Sequence, residues 1–126
     1  MERNSDNSIN IKQEQLGDYT IAFDENPDLL FTDNRTNRKK LYNSKSDHKY
    51  FKDGINDYVV DGNEKTINPE QKGSKASAHY KIELKPGESK EIKVRLTKGT
   101  VTPSFEDFDE VFTDRLQDAD DFYGNI

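Results

Sequence analysis

Paired carboxylates are the first residues here that could do chemistry. Asp53 with Asp57, and Glu106 with Asp109 or Glu110, stand three or four positions apart, a spacing that places both acids on one helix face. Two carboxylates held at different pKa values can act as general acid and general base in hydrolysis. A chain with 25 acids produces such spacings by chance. The flanking residues supply no apolar pocket to separate the two pKa values, so a solvated face is the favoured reading.

A calcium loop is tested by spacing. The stretch from Asp53 ends correctly at Glu64 but carries Ile55 and Tyr58 at its third and sixth positions, where an EF-hand needs an oxygen ligand and a glycine. The match fails. Cysteine is absent and the imidazoles are His48 and His79, so thiolate chemistry, disulfides and His-rich metal clusters drop out; no metal and no cofactor is expected. His79 falls on the polar side of a strand pattern and reads as a surface or interface side chain. His48, between basic neighbours in a loop, reads the same way.

From Arg35 to Lys52 seven basic residues interleave with Tyr42, Tyr50 and Phe51. Phosphate contact plus stacking can hold a single-stranded nucleic acid with such a composition. No Gly-rich phosphate cradle or RNA-binding signature accompanies it, and a solvated loop with its aromatics tucked beneath is the favoured reading. Asn34-Arg35-Thr36 is a glycosylation sequon that matters only in a secreted chain.

The elements that must position these residues are few. The chain has 126 residues, room for one ordinary domain. Leu, Ile, Val and Phe together number 27, close to the roughly 20% level below which chains tend to stay disordered. With 35% charged residues and a mean hydropathy of -1.11, the core must be thin, and a large self-contained enzyme core is not expected. No apolar run nears the roughly 20 residues of a membrane span, and Met1–Asp6 has no apolar signal region. The expectation is a cytoplasmic protein with no membrane and no nucleic-acid partner. The net charge of -6 is local: residues 104–123 hold eight acids and one base, and the rest is close to neutral.

Residues 1–8 are polar and read as a frayed end. Ile9 to Phe23 alternates about a Leu16-Gly17-Asp18 turn, which predicts a hairpin. Leu29-Leu30-Phe31 predicts a buried strand. Residues 33–68 read as a long irregular loop, in which Gly54–Gly62 fits a helical turn or a short strand equally well. Ala78, Tyr80, Ile82 and Leu84, then Ile92, Val94 and Leu96, alternate with charged residues about Pro86-Gly87 and predict an antiparallel hairpin with one packed face. Phe105, Phe108, Phe112, Leu116, Ala119 and Tyr123 form a helical stripe, with Ser104 as its N-cap and Asp107 at N3. The fold class is mainly β: an antiparallel β-sandwich or half-sandwich over 1–103, with a C-terminal amphipathic helix over 104–126.

Several blocks resemble one family. Leu29-Leu30-Phe31-Thr32-Asp33-Asn34-Arg35-Thr36-Asn37 is similar to the LLFTENETN of bacterial glucosidases related to glycoside hydrolase family 63, the mannosyl-oligosaccharide glucosidase group. Residues 50–62, YFKDGINDYVVDG, resemble their YVKDGINDYVVHG; Asn68-Pro69 with 73–80, GSKASAHY, resembles VNP…GTKAAAHY. Residues 108–123, from Phe108-Asp109-Glu110-Val111-Phe112 to Asp120-Asp121-Phe122-Tyr123, resemble FDAVFAARRAEADEFY. The blocks keep their order and spacing over about residues 27–123. The resemblance implies the later portion of an N-terminal β-sandwich, with residues 104–126 leading toward a catalytic barrel of α-hairpins that this chain does not contain. It therefore implies no catalytic residue here and a barrel domain or chain as partner, with an oligosaccharide as ligand. The residues placed nearest a sugar are Lys52, Asp53, Asn56, Asp57 and Tyr58, whose donors, acceptors and aromatic face suit hydroxyl-rich ligands; the plainer reading of that segment is that it fixes the loop. The alternative function is a free-standing interaction module using the acidic helix or the basic loop, with self-association through the helix as one form of it.

Overall fold

The computed structural model describes residues 1–43, 45 and 47–125. Ile126, the last residue of the expected helical segment, lies outside the described residues. Among the described residues, six strands form two antiparallel sheets. In the larger, β1 (Glu2–Arg3), β2 (Ile9–Gln13), β3 (Gly17–Phe23) and β6 (Val94–Lys98) lie side by side in that order; in the smaller, β4 (Asp28–Thr32) pairs with β5 (Lys75–His79). The helices that accompany them are α1 (Arg38–Tyr42), α2 (Gly54–Asp61) and α3 (Phe108–Gly124), with a 3-10 turn at Glu64–Thr66.

The predicted first hairpin forms. Ile9 faces Ile21 and Gln13 faces Gly17, whose φ of +90° suits a glycine at the end of the turn. β4 is the buried strand that its Leu-Leu-Phe run predicts, with Phe31 0% exposed. Leu29 and Phe31 join Ile9 in the core, against Ile11, Ile21 and Phe23 of the larger sheet and Ala76 and Ala78 of β5. Across the smaller sheet Leu29 faces Ala78 and Phe31 faces Ala76. Large opposite small lets the two sheets share one thin apolar layer.

The hairpin expected about Pro86-Gly87 does not form. Its turn exists, with the Glu88 amide donating to the Lys85 carbonyl at 3.0 Å, but its arms pair elsewhere: β5 with β4, and β6 with β3. Alternation states which face of a strand is apolar and carries no information about which strand lies alongside. The cost of this arrangement is visible on β6. Leu96 faces Ile21 and Val94 faces Phe23, so both belong to the core side of the larger sheet. The two-stranded sheet is too narrow to reach them, and Leu96 stays 60% exposed.

Residues 1–8 are not frayed. The Arg3 amide donates to the Gln71 carbonyl (3.1 Å) and the Gly73 amide to the Met1 carbonyl (3.0 Å). Asn4 and Asn10 exchange side-chain hydrogen bonds at 3.1 and 2.7 Å, and Asn7 Nδ2 donates to the Pro27 carbonyl at 3.0 Å. Ser8 and Asn7 are buried. Composition alone reads polar residues as solvated; here the side chains of Arg3, Asn4, Asp6 and Ser8, and Asn7 through Nδ2, are hydrogen-bonded.

The stretch read as a 33–68 loop holds α1, α2 and the 3-10 turn. Gly54–Gly62 resolves as a helix ending at Gly62, whose left-handed φ of +67° lets its amide donate to the Asp57 and Tyr58 carbonyls. α3 begins later than expected. Its N-cap is Asp107, not Ser104, and Asp107 makes no capping hydrogen bond because its carboxylate takes the Arg95 guanidinium at 2.6 Å. Ser104 Oγ instead accepts from the Glu106 amide (3.2 Å), one turn earlier.

Two ion pairs root α3 on the larger sheet, Arg95–Asp107 and Lys93–Asp109 (2.7 Å), and Lys93 Nζ lies 4.8 Å from the centre of the Phe108 ring. The Arg95 guanidinium holds the Asp107 carboxyl below its ordinary value, and Asp109 holds the Lys93 ammonium above its own. A depressed carboxyl contributes stability above its ordinary value and loses it as pH falls through the lowered one. A raised ammonium contributes below its ordinary value and loses it as pH rises through the raised one. The root is thus tightest between about pH 4 and pH 10. Arg95→Gln should return the Asp107 titration, followed by carboxyl NMR, toward the ordinary carboxylate value; an unchanged midpoint would contradict the assigned cause.

Candidate functional site

The segment 52–58 is built around the start of α2. The Gly54 amide donates to the Phe51 carbonyl (2.9 Å), and Thr66 Oγ1 donates to the Gly54 carbonyl (2.8 Å). Gly54 is buried so closely that a Cβ there would sit 2.3 Å from the Thr66 carbonyl oxygen. Only glycine allows the 3-10 turn to pack on the helix start.

The five sequence-predicted residues divide in use. Lys52 is exposed; its amide donates to the Arg35 carbonyl (3.0 Å) and its carbonyl accepts from Lys75 Nζ (3.1 Å). Asp53 and Asp57 both turn to Lys40 of α1, at 3.7 and 3.3 Å, and Asn37 Nδ2 donates to Asp53 Oδ2 at 3.3 Å. Hydrogen bonding to Asp57, the largest cause, holds the Lys40 ammonium above its ordinary value. The two carboxylates share one cation and clip α1 onto α2. Asn56 is exposed. Tyr58 lines a cleft.

That cleft, of about 510 Å³, opens where residues 3–7 and 26–30 meet α2. Pro27, Leu29, Leu30 and Ile67 contribute its apolar part, and Arg3, Asn7, Asn26, Asp28, Tyr58 and Gln71 its polar part. Hydrogen bonds fix the walls: Arg3 Nη1 donates to Gln71 Oε1 (3.0 Å), and Asn7 reaches Pro27 as above. Asp6, also on the cleft, is committed through Oδ1 to the Ser8 amide and hydroxyl at 3.0 and 2.6 Å. Asn7, Asn26 and Gln71 adopt left-handed backbone at φ of +62°, +46° and +54°, a conformation that asparagine tolerates and that costs a residue such as Gln71 about 1 kcal/mol. Asn7 Oδ1 is buried with no donor.

His79 sits beneath Tyr58, the two rings edge-on with centroids 6.1 Å apart. It faces α2 from the sheet surface opposite the core, an interface position as its alternation predicts, and its Nδ1 is buried without a partner. Of the acids near the C-terminal helix, Asp109 pairs with Lys93, and neither Glu106 nor Glu110 lines the cleft. In the basic run, Tyr50 and Phe51 are half-buried as expected, whereas Tyr42 is exposed. The sequence reading missed Arg3, Asn7, Asn26 and Gln71. Asn26-Pro27 was the one local signal for them, because asparagine tolerates left-handed backbone.

No family profile matches the chain, and no solved structure matches it. Among curated proteins it is similar to one called Uncharacterized protein YMR196W, from the yeast Saccharomyces cerevisiae, with 36% identity over 115 residues. The match takes in 82% of this chain and 11% of the yeast protein, so the chain spans about a tenth of that relative's length. Among the described residues, no helix is long and apolar enough to cross a membrane.

Proposed function

We propose that this chain is a non-catalytic, β-rich portion of a glucosidase related to glycoside hydrolase family 63, acting in the cytoplasm. In this reading its two sheets are part of an antiparallel β-sandwich, and residues 104–126 lead toward a catalytic α-barrel that supplies the general acid and base. The order of the sequence blocks supports the family. The role is supported by one observation above all: apolar surface is left uncovered. On α3, Phe112, Leu116 and Tyr123 are 59%, 66% and 71% exposed, and no residue of that helix is buried. A stripe of this kind marks a surface made for a partner. Lys52, Asp53, Asn56, Asp57 and Tyr58 are the residues proposed to stand nearest the shared sugar site, and Tyr58 lines a cleft.

Deleting residues 104–126 tests the role. The remainder should stay folded, with Tm within a few degrees and higher solubility, since α3 is held by surface ion pairs of small worth. Unfolding of the remainder would mean that the helix belongs to this chain's own core.

The acid-rich surround of the stripe favours a second reading, a free-standing interaction module. Gene context separates the two: an adjoining coding sequence for an α-hairpin barrel belongs with the glucosidase reading.

A further inference from the structure

We propose that the chain pairs with a second copy of itself, the acidic helix α3 of each copy lying on the basic surface of α1 and the last turn of α2 in the other. Both halves of the contact are present in one chain. Residues 108–124 hold six acids and one base, and residues 35–52 hold seven bases and one acid. Oppositely charged surfaces of this kind steer two molecules together and fix their register.

The helix side is an apolar stripe with charged borders. Phe112, Leu116 and Tyr123 stand exposed along it. At about 100° per residue, Asp114 and Asp118 border the stripe on one side and Asp120 on the other. The ion pairs of α3 and its cap go to Lys93, Arg95 and its own Arg115, so among the described residues Asp114 and Asp120 have no cation in their own chain. The other side carries the complement. Leu41 and Tyr42 of α1 are exposed, as is Val60, three residues beyond Asp57 on the side of α2 to which Lys40 is clipped. Arg38 and Lys39, on the same short helix, are exposed as well. Among the described residues the ion pairs of this basic run are those of Lys40.

Charge and apolar surface together select the occupant. A nucleic acid would satisfy Arg38 and Lys39 but set Leu41 and Val60 against a phosphate backbone, and a chain of net charge -6 repels it. Two α3 helices laid stripe against stripe would bring six acids against six. The α1 surface of another copy offers apolar contact and opposite charge at once. Within one chain α3 is rooted at its start on Lys93 and Arg95, and no ion pair or hydrogen bond among the described residues joins it to α1. Exchange of helices between two copies makes the contact twice and closes the pair about a two-fold axis, leaving no open end to extend a filament. This inference goes beyond both readings above; a barrel covering α3 would displace the second copy.

The test is sedimentation velocity of the full chain over a concentration series, in low salt and at about 1 M salt, where charges are screened beyond roughly 3 Å. A monomer–dimer equilibrium should appear in low salt and weaken about tenfold or more in high salt. Arg38→Glu with Lys39→Glu in one chain, and Asp114→Lys with Asp118→Lys in another, should each weaken the dimer by about a hundredfold, because every reversal turns attraction into repulsion at both contacts. Mixing the two variants should restore a dimer of near-parental affinity, since each contact then regains opposite charges. All four positions are exposed, so the fold, followed by amide NMR spectra, should be unchanged in both. A single-stranded oligonucleotide is titrated in parallel. A chain that stays monomeric throughout, a dimer indifferent to the α1 pair of substitutions, mixed variants that remain apart, or oligonucleotide bound at α1 by the monomer would each overturn the proposal.

Discussion

Phe31→Ala should lower the unfolding free energy by about 3–5 kcal/mol, the usual loss for a buried aromatic replaced by a methyl group. Phe31 is wholly buried at the centre of the apolar layer, opposite Ala76 and against Ile9 and Leu29. Ala76, which stands opposite, is too small to fill the space, so the cavity persists and the cost falls at the upper end. A domain of this size commands only about 5–15 kcal/mol in total, and a thin core offers little reserve. Urea denaturation of the variant should show a midpoint near or below half that of the parent. Tyr42→Ala, at an exposed side chain on α1, should leave the midpoint nearly unchanged. Equal effects from the two would contradict the placement of the core.

Gly54→Ala carries the second large effect. A Cβ at this position would stand 2.3 Å from the Thr66 carbonyl oxygen and 3.2 Å from the Thr66 Cβ. The nearest atom is backbone, so no flexible side chain can swing aside. Relief requires pulling the 3-10 turn off α2, which breaks the Thr66 hydroxyl's hydrogen bond to the Gly54 carbonyl. A cost of about 2–3 kcal/mol is expected from overpacking together with that loss. Gly124→Ala is the control, since nothing lies within 4 Å of its Cβ and alanine favours helix; it should be neutral or slightly stabilising. Thermal unfolding of the pair distinguishes steric exclusion at Gly54 from a general effect of losing glycine.

These two positions also mark what the sequence could and could not convey. The Leu-Leu-Phe run announced a buried strand, and alternation about Gly17 announced the first hairpin, because both signals are local. The apolar stripe from Phe108 to Tyr123 announced α3 for the same reason. The partners of Ala76–His79 and Val94–Lys98 were not legible. Both strands alternate correctly for the hairpin about Pro86-Gly87, yet the strands that claim them lie far away along the chain. The Asn4–Asn10 and Asn7–Pro27 bonds, which order the first eight residues, join polar side chains that composition treats as solvated. The cleft was missed for that reason. Its walls come from residues 3–7, 26–30, 58 and 67–71, each unremarkable in its own neighbourhood. Asp53 and Asp57 illustrate the converse: a spacing suited to acid–base chemistry serves to clip α1 to α2 through Lys40.

In the proposed reading, hydrolytic chemistry lies outside this chain. The direct measurement is release of nitrophenol from nitrophenyl glucosides of both anomers by the purified chain, followed over hours at high protein concentration. No release above buffer is expected, and none from the Asp6→Asn, Asp53→Asn or Asp57→Asn variants. Sustained release that scales with protein and disappears in one of those variants would contradict it.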